Sequence, residues 1–241
     1  MSDEMRLHVM EAVANAPRRD YPITHIIADD VFPEDFYQSL RANLPDQDAY
    51  VKLVDTGRVG DLYSPDRYIW RPKENSSETL PAAKGKFLRD AFKELLTPDF
   101  AHLLLQIFED DIRFRIEDEA DLLGDKNDIS VESYLIRDHA NYSLGPHTDA
   151  QNKLISCLIY LPPDDRHAEL GTSFYLPKDK SFTCYGGPHY GFENFDYVST
   201  IPFKPNTFVA FPKTKKSFHG VKKVDGEAPV RDIWFIDLKA T

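Results

Sequence analysis

The chain has 241 residues, with 29 Lys and Arg against 40 Asp and Glu, which gives a formal net charge of -11 at pH 7. Hydrophobic residues make up 41% of the chain and charged residues 29%, a balance typical of a soluble globular protein rather than a disordered one. Because the chain is acidic overall, we expect neither nucleic acid nor an anionic membrane as a partner, since both require a clustered basic surface.

The cysteines and the N-terminus indicate where the protein works. Cys157 and Cys184 are too few for a secreted disulfide framework, and free thiols are typical of cytoplasmic proteins. The N-terminal residues MSDEMRLHVMEAVANAP lack the basic start and continuous apolar run of a signal peptide. No segment has the roughly 18 uninterrupted apolar residues that a membrane-spanning helix needs. The sequence therefore predicts a cytoplasmic protein, and it leaves the oligomeric state open.

The first half of the chain has mainly helical periodicity. A short amphipathic helix is predicted over 33–44, where apolar residues recur at helical spacing behind a Pro-opened start. A second helix is predicted to begin near Pro81, and Thr97 followed by Pro98 both ends it and opens a third. The intervening segment 50–79 is rich in Asp, Gly, Pro and Arg, and we expect irregular strand and loop there.

From about Asp128 the pattern changes to short β-rich runs separated by turn residues. Seven or eight antiparallel strands at this spacing are typical of a sandwich or barrel, with the helices packed on one side. The runs are ISVESYLIRDH, KLISCLIYLP, GTSFYLP, FDYVSTIPF, TFVAFP, SFHGVKKV and VRDIWFIDL.

Three residues in this second half form a candidate metal site. His147 and Asp149 are two apart, and residues two apart on an extended chain project from the same face. A third ligand is offered by His219, on a later predicted strand. One carboxylate with two imidazoles leaves coordination positions open, and this facial arrangement is typical of non-haem Fe(II) oxygenases. We therefore predict that these three residues are both the metal ligands and the catalytic centre.

A basic residue follows in an apolar strand. Arg231 lies 12 residues after His219, in the run VRDIWFIDL. A buried cation requires an anion, and a guanidinium suits a carboxylate because its fork binds both oxygens. The anion is either a dicarboxylate that also chelates the metal or an acidic side chain within the barrel.

Between Ser130 and Leu238 the sequence resembles the Fe(II)- and 2-oxoglutarate-dependent dioxygenase superfamily, particularly its prolyl-hydroxylase-like branch. The resemblance is one of order, because H-x-D, SCLIYLP, LGTSFY, KPNTFVAFP, FHGV and VRDIWFIDL follow one another as in that branch. It implies a jelly-roll core, known as a double-stranded β-helix, that binds Fe(II), 2-oxoglutarate and O2. In that branch a tyrosine hydroxyl binds the distal carboxylate of 2-oxoglutarate. Tyr160 stands at its position, so the resemblance implies that Tyr160 and Arg231 clamp this carboxylate.

The resemblance also implies an activity and a domain organisation. The expected reaction is hydroxylation of an acceptor, coupled to decarboxylation of 2-oxoglutarate to succinate and CO2. Because Asp149 is present, hydroxylation is favoured over halogenation, in which chloride would occupy that position. We expect one catalytic domain over 1–241 that is mainly β with α. In it, 1–127 supply mostly helical support and substrate-side loops, and 128–241 form the jelly-roll core with the metal site.

The substrate is less well indicated than the chemistry. Candidate substrate-binding residues are Arg67 and Trp70 in the irregular segment, and Tyr134 and Arg137 on the first β run of the core. The arginines suit an anionic small molecule, whereas the aromatic residues equally suit a peptide. A small molecule is favoured, because nothing resembles a dedicated peptide-binding domain, and a peptide or protein side chain remains the alternative.

Two further alternatives stay open. A cupin-like metal-binding protein without oxygenase activity would keep the metal pocket, and its Arg231 would face an internal carboxylate. The aromatic and glycine-rich segment within 185–196 is either a mobile lid over the site or a surface excursion.

Overall fold

The computed structural model of the chain describes residues 3–60, 63–72, 80–119, 128–222 and 229–241. Five α-helices lie within these residues: α1 (Asp3–Ala14), α2 (Glu34–Ala42), α3 (Ala82–Leu95), α4 (Pro98–Ile107) and α5 (Glu109–Asp118). Twelve strands lie there as well. They are β1 (Arg18–Arg19), β2 (His25–Ala28), β3 (Val51–Lys52), β4 (Arg67–Trp70), β5 (Ile129–Asp138), β6 (Leu144–His147), β7 (Lys153–Tyr160), β8 (Thr172–Pro177), β9 (Phe195–Ile201), β10 (Thr207–Pro212), β11 (His219–Val221) and β12 (Arg231–Ala240).

The strands form two antiparallel sheets that face each other. The large sheet has the order β1-β2-β10-β7-β12-β5-β4-β3, and the small sheet has the order β6-β11-β8-β9. From β5 to β12 the chain crosses repeatedly between the sheets, with β5, β7, β10 and β12 in the large sheet and β6, β8, β9 and β11 in the small one. This arrangement is the predicted double-stranded β-helix. Phe174, Phe211 and Ile233 are buried in one cluster between the two sheets.

The helices cover the outer face of the large sheet. Trp234 and Leu238 of β12 share one buried cluster with Phe92 of α3 and Leu104 of α4, and the Phe92 and Trp234 rings stack with centroids 4.5 Å apart. Burial of large side chains at such a contact contributes about 1.5–3 kcal/mol each. The helices thus brace the sheet whose inner face forms one wall of the site.

The alternation of side chains along β12 decides what reaches that inner face. Arg231, Phe235, Asp237 and Lys239 are separated by even numbers of residues and line the cavity between the sheets. Because successive side chains of a strand point to opposite faces, the intervening Trp234 is directed to the helices.

Most of the predicted elements are confirmed. The helices expected over 33–44, from Pro81 and from Pro98 are α2, α3 and α4, and the Thr97 hydroxyl caps α4 by accepting from the Phe100 backbone N–H. The residues 73–79 of the expected irregular segment lie outside the described residues. None of the described helices is long and apolar enough to cross a membrane.

Candidate metal centre

The candidate metal ligands come together on the small sheet. His147 ends β6, Asp149 lies two residues beyond it, and His219 begins β11. In the antiparallel pairing of these strands His219 lies directly opposite His147. One ligand atom from each of the three residues lies within 4.8 Å of the others. His219 follows Asp149 by 70 residues in the sequence, and the β6–β11 register brings it to the other two residues.

Backbone carbonyls orient the two imidazole rings. Nδ1 of His147 lies 3.0 Å from the Gly145 carbonyl oxygen, and Nδ1 of His219 lies 3.0 Å from the Ser217 carbonyl oxygen. Since a carbonyl only accepts, each Nδ1 carries the proton and each Nε2 presents a lone pair. The His147 and His219 Nε2 atoms lie 3.9 Å and 3.7 Å from oxygens of Asp149. The Nδ1–H bonds to the backbone carbonyls are the kind of hydrogen bond that commonly fixes metal-binding imidazoles.

The electrostatics keep all three residues in the forms that bind a metal. Burial, followed by the proximity of His219, lowers the pKa of His147 to about 3, and burial also lowers the pKa of His219. Burial alone would raise the pKa of Asp149, but the Lys153 ammonium and the two imidazoles outweigh it and lower the pKa below its ordinary value. Two neutral imidazoles and one ionised carboxylate fit a divalent ion such as Fe(II).

Asp149 is held by two side chains of β7. The Lys153 Nζ lies 3.2 Å from Asp149 Oδ1, and the Ser156 hydroxyl donates to Asp149 Oδ2 at 2.6 Å. Lys153 also lies 3.0 Å from the carboxylate of Asp237. The carboxylate is therefore oriented at both oxygens, and Lys153 joins it to the wall formed by β12.

A buried arginine on α5 supports the loop that carries Asp149. The Arg115 guanidinium donates to the backbone carbonyls of Gln151 and Lys153 and pairs with Glu119 at 3.2 Å. Lys213 shares the Glu119 carboxylate at 3.4 Å. The role of Arg115 is not evident from the sequence, because an arginine on an acidic helix resembles part of a solvated face.

The triad opens onto a cavity of about 890 Å³ between the two sheets. Apolar side chains line the cavity between two charged groups, among them Leu158 and Phe235, which lie opposite each other on β7 and β12. Charged side chains line it on either side of this apolar band. One charged group contains Arg67 and Arg231, and the other contains Lys153, Asp237, Glu132 and Lys239.

Arg231 and Arg67 share the carboxylate of Asp138. Arg67 binds it with two hydrogen bonds of 2.6 and 2.8 Å, and Arg231 Nη1 donates to it at 2.7 Å. Arg231 Nε donates to the Leu170 carbonyl at 2.5 Å. Among the described residues, Arg231 Nη2 is buried without a hydrogen-bond partner. Two guanidinium groups against one carboxylate leave a net positive charge here, so a further carboxylate fits this end of the cavity.

Many solved structures are similar to the chain, among them the following three. AviO1 from Streptomyces viridochromogenes Tue57 is 13% identical with a TM-score of 0.50, and the match covers 97% of this chain and 94% of that chain. The non-heme alpha ketoglutarate dependent epimerase SnoN from nogalamycin biosynthesis is 10% identical with a TM-score of 0.51, covering 97% and 81%. A Pseudomonas putida prolyl-4-hydroxylase is 14% identical with a TM-score of 0.48, covering 97% and 98%. No family model and no curated protein matches the sequence.

The chain has the same fold as AviO1 and as the epimerase SnoN. Sequence identity this low shows a shared fold, and the chemistry has to be argued from the residues of the site.

Tyr160 lies behind the cavity wall. It is fully buried, and its hydroxyl donates to Thr172 Oγ1 at 2.8 Å and accepts from the Thr172 backbone N–H at 3.0 Å. Thr172 lines the cavity, whereas Tyr160 is not among the lining residues. The centre of the Arg231 guanidinium lies 5.9 Å from the Tyr160 ring. The predicted contact between Tyr160 and 2-oxoglutarate stays a prediction.

The structure separates the candidate substrate residues into two pairs. Arg67 and Tyr134 line the cavity. Trp70 packs among the helices on the other face of the large sheet, and Arg137 there pairs with Asp232 at 2.7 Å. The reason is strand alternation, because Trp70 is three residues from Arg67 and Arg137 is three from Tyr134. Trp70 and Arg137 are therefore not brought to the cavity.

The segment 184–190 forms a further wall of the cavity. The Thr148 hydroxyl donates to the Cys184 carbonyl at 2.8 Å, and the Tyr190 backbone N–H donates to the Pro146 carbonyl at 2.9 Å. Between these two bonds, 187–189 line the cavity beside the triad. Both ends of the segment are thus tied to β6 and its continuation. Whether it opens as a lid stays untested.

Proposed function

We propose that the protein is an Fe(II)- and 2-oxoglutarate-dependent dioxygenase that hydroxylates an acceptor and converts 2-oxoglutarate to succinate and CO2. One observation carries the proposal. A partly buried triad of two neutral imidazoles and one ionised carboxylate opens onto a cavity that also presents the guanidinium of Arg231, whose Nη2 has no hydrogen-bond partner among the described residues. A metal-chelating dicarboxylate would satisfy both features at once.

Each residue of the site has a role that follows from its contacts. His147, Asp149 and His219 would hold Fe(II) through Nε2, a carboxylate oxygen and Nε2. Arg231 Nη2 would donate to the distal carboxylate of 2-oxoglutarate. Ser156 fixes the orientation of the Asp149 carboxylate through its 2.6 Å hydrogen bond.

Apolar side chains such as Leu158 and Phe235, which line the cavity between Arg231 and Asp237, would lower the local dielectric and so strengthen the electrostatic contacts there. When bound, Fe(II) and 2-oxoglutarate together supply the oxidation by O2, in which one oxygen atom enters the acceptor and the other enters succinate.

The size of the cavity supports a small-molecule acceptor. Ligand pockets for small molecules commonly have volumes of about 300–1,000 Å³, and this cavity has about 890 Å³, part of which 2-oxoglutarate would fill. A protein or peptide side chain that enters the cavity remains the alternative. We also propose a cytoplasmic location, since Cys157 and Cys184 are both free and buried.

A metal-binding protein without oxygenase activity is the second candidate function. It is favoured by the ion pair of Arg231 with Asp138, because an internal carboxylate already partners this arginine. Against it stands Arg67, which by itself gives Asp138 two hydrogen bonds. Arg231 is therefore in excess of what Asp138 requires, as expected of a residue that binds a second carboxylate.

The test is an anaerobic titration of 2-oxoglutarate into Fe(II)-loaded protein, followed by visible absorption and by calorimetry. We expect a new absorption band and saturable binding. Arg231→Gln should weaken 2-oxoglutarate binding at least about tenfold, because a charge-assisted hydrogen bond contributes about 1.5–3 kcal/mol. His219→Ala should abolish the band. Arg113→Gln, which changes an exposed arginine on α5, is the control.

The outcomes separate the two candidate functions. Metal binding without any 2-oxoglutarate binding supports the metal-binding protein and contradicts the oxygenase. An acceptor that gains the mass of one oxygen atom supports hydroxylation. An acceptor that turns over without gaining oxygen indicates an outcome other than hydroxylation, such as the epimerisation that the name of SnoN suggests.

A further inference from the structure

We propose that Asp237, together with Lys153, binds a hydroxyl group of the acceptor, and that the acceptor is a polyhydroxylated small molecule. The inference rests on the proposed function and names the substrate class of the same cavity. It comes from Asp237, a carboxylate that is 1% exposed and lines the cavity beside the metal ligands.

The position of Asp237 places it away from the end where 2-oxoglutarate would be anchored. Asp237 and Arg231 lie on the same face of β12, six residues apart, so their Cα atoms are separated by ~20 Å along an extended strand. Ser156, which holds the metal ligand Asp149, lies directly opposite Asp237 on β7. A dicarboxylate that extends from the triad towards Arg231 therefore leaves Asp237 accessible to a second molecule.

The hydrogen bonding of Asp237 is incomplete. Its Oδ2 accepts from the Tyr134 hydroxyl at 2.8 Å. Its Oδ1 is buried and lies 3.0 Å from Lys153 Nζ, an ion pair outside hydrogen-bond geometry, and no other donor of the described residues reaches it. The ammonium offsets the charge of the carboxylate, but Oδ1 has two lone pairs and keeps the capacity to accept a further hydrogen bond. An ionised carboxylate only accepts, so the group that completes it must bring an O–H or N–H donor.

The charges around Asp237 favour a neutral donor. A cationic amine would approach Lys153 as well as Asp237, and an anion would approach both Asp237 and Asp149. A hydroxyl can donate to Asp237 Oδ1 while accepting from Lys153 Nζ, and these two atoms are 3.0 Å apart. The donor and acceptor pair thus matches the chemistry of an alcohol.

The polar surface continues beyond this pair. Glu132 lies directly opposite Asp237 on β5, and Lys239 donates to Glu132 at 2.7 Å. Both residues line the cavity. A row of alternating donors and acceptors along one wall suits a molecule with several hydroxyls, and it is unfavourable for an apolar acceptor, which would take water from these charged groups without giving them a hydrogen bond in return.

The test begins with a comparison on the unaltered chain. Binding of myo-inositol, D-glucose and methyl α-D-glucopyranoside to Ni2+-loaded protein with 2-oxoglutarate is measured by saturation-transfer NMR. Cyclohexanecarboxylate and a proline-containing peptide are the contrasting probes. We expect the hydroxylated probes to bind and the contrasting probes to bind at least about tenfold more weakly, since a hydrogen bond to a charged group contributes about 1.5–3 kcal/mol. This comparison does not depend on whether a variant folds.

The variants then assign the binding to Asp237. Asp237→Asn should weaken binding of the hydroxylated probes about tenfold, while its 2-oxoglutarate affinity stays within about twofold because Arg231 is unchanged. The matched control is Asp232→Asn, which alters a carboxylate of the same strand that pairs with Arg137 on the other face. The control should bind the probes as the unaltered chain does.

The contrary outcomes are distinct. Preference for the peptide or the apolar acid, or equal probe binding by Asp237→Asn, overturns the inference and leaves the oxygenase proposal intact. Measuring probe binding without 2-oxoglutarate tests the inference separately from the proposed function. Failure to bind 2-oxoglutarate contradicts the proposed function alone. Probe binding that depends on Asp237 supports the inference even then.

Discussion

Lys153 places its ammonium group 3.2 Å from the carboxylate of Asp149, one of the three candidate metal ligands. The Asp149 carboxylate, together with Asp237 and Tyr134, raises the pKa of Lys153 well above its ordinary value despite burial. A permanent positive charge therefore lies beside a site for a divalent cation. Lys153 stabilises the metal-free chain and opposes metal binding.

The substitution Lys153→Met should separate these two effects. We expect the variant to bind Ni2+ at least about tenfold more tightly, because a unit charge at 4 Å contributes about 4 kcal/mol at an effective dielectric constant of 20. Without metal it should lose about 3–5 kcal/mol of unfolding free energy, since Asp149 and Asp237 lose their shared cation. Calorimetric titration and urea unfolding measure the two quantities. Weaker Ni2+ binding by a folded variant would show that orientation of Asp149 outweighs repulsion.

Arg115 is expected to support the metal site from the far side of the Asp149 loop. Arg115→Met removes the donors to the Gln151 and Lys153 carbonyls and leaves Glu119 with Lys213 alone. We expect a loss of about 3 kcal/mol or more in unfolding free energy and weaker Ni2+ binding. Arg113→Met on the same helix breaks only an exposed pair with Asp110 and should change stability by less than about 0.5 kcal/mol. Equal effects of the two variants would contradict this role.

The sequence was sufficient to predict the elements with local signals. Thr97 and Pro98 mark a helix boundary through an N-cap and a fixed φ, and the structure places the boundary there. The triad could be proposed because His147 and Asp149 are two residues apart, which places both side chains on one face of an extended chain. His219 then follows in the expected order. These inferences depend on short-range patterns that tertiary packing did not override.

The inward face of β5 could not be predicted in the same way. In the run ISVESYLIRD, the odd-numbered and the even-numbered positions each contain both polar and apolar residues. Alternation alone therefore does not tell whether Arg137 or Asp138 points to the cavity. Pairing with β4 and β12 decides it, because Asp138 lies opposite both Arg67 and Arg231. Asp237 was missed for a related reason, since a carboxylate near the end of an apolar strand is ordinarily a solvated residue.

Gly145 is predicted to be required for the geometry of the triad. A Cβ on Gly145 would collide with the Tyr190 carbonyl oxygen, and the Gly145 carbonyl accepts the His147 Nδ1–H bond. Gly145→Ala should therefore cost about 1–3 kcal/mol of unfolding free energy and weaken Ni2+ binding. Gly60→Ala is the control, because no atom of the described residues lies within 4 Å of its Cβ. A folded Gly145→Ala variant with unchanged Ni2+ affinity would contradict this requirement.

Tyr160 and Thr172 are expected to act as one unit towards 2-oxoglutarate. The Tyr160 hydroxyl donates its single proton to Thr172 Oγ1 and thereby orients the Thr172 hydroxyl. Thr172, and not Tyr160, lines the cavity. Tyr160→Phe and Thr172→Val should each weaken 2-oxoglutarate binding to Ni2+-loaded protein by about 1 kcal/mol, or roughly fivefold.

A double-mutant cycle decides between this coupled action and direct contact. If the two hydroxyls form one chain, the double variant should bind 2-oxoglutarate about as well as either single variant, because removing one member already disables the other. Calorimetric affinities of the four proteins give the coupling energy. Additive losses, with Tyr160→Phe the larger, would instead indicate that the Tyr160 hydroxyl turns from Thr172 and contacts the carboxylate itself. That outcome would restore the role inferred from the family resemblance and would require Tyr160 to change its hydrogen-bond partner when 2-oxoglutarate binds.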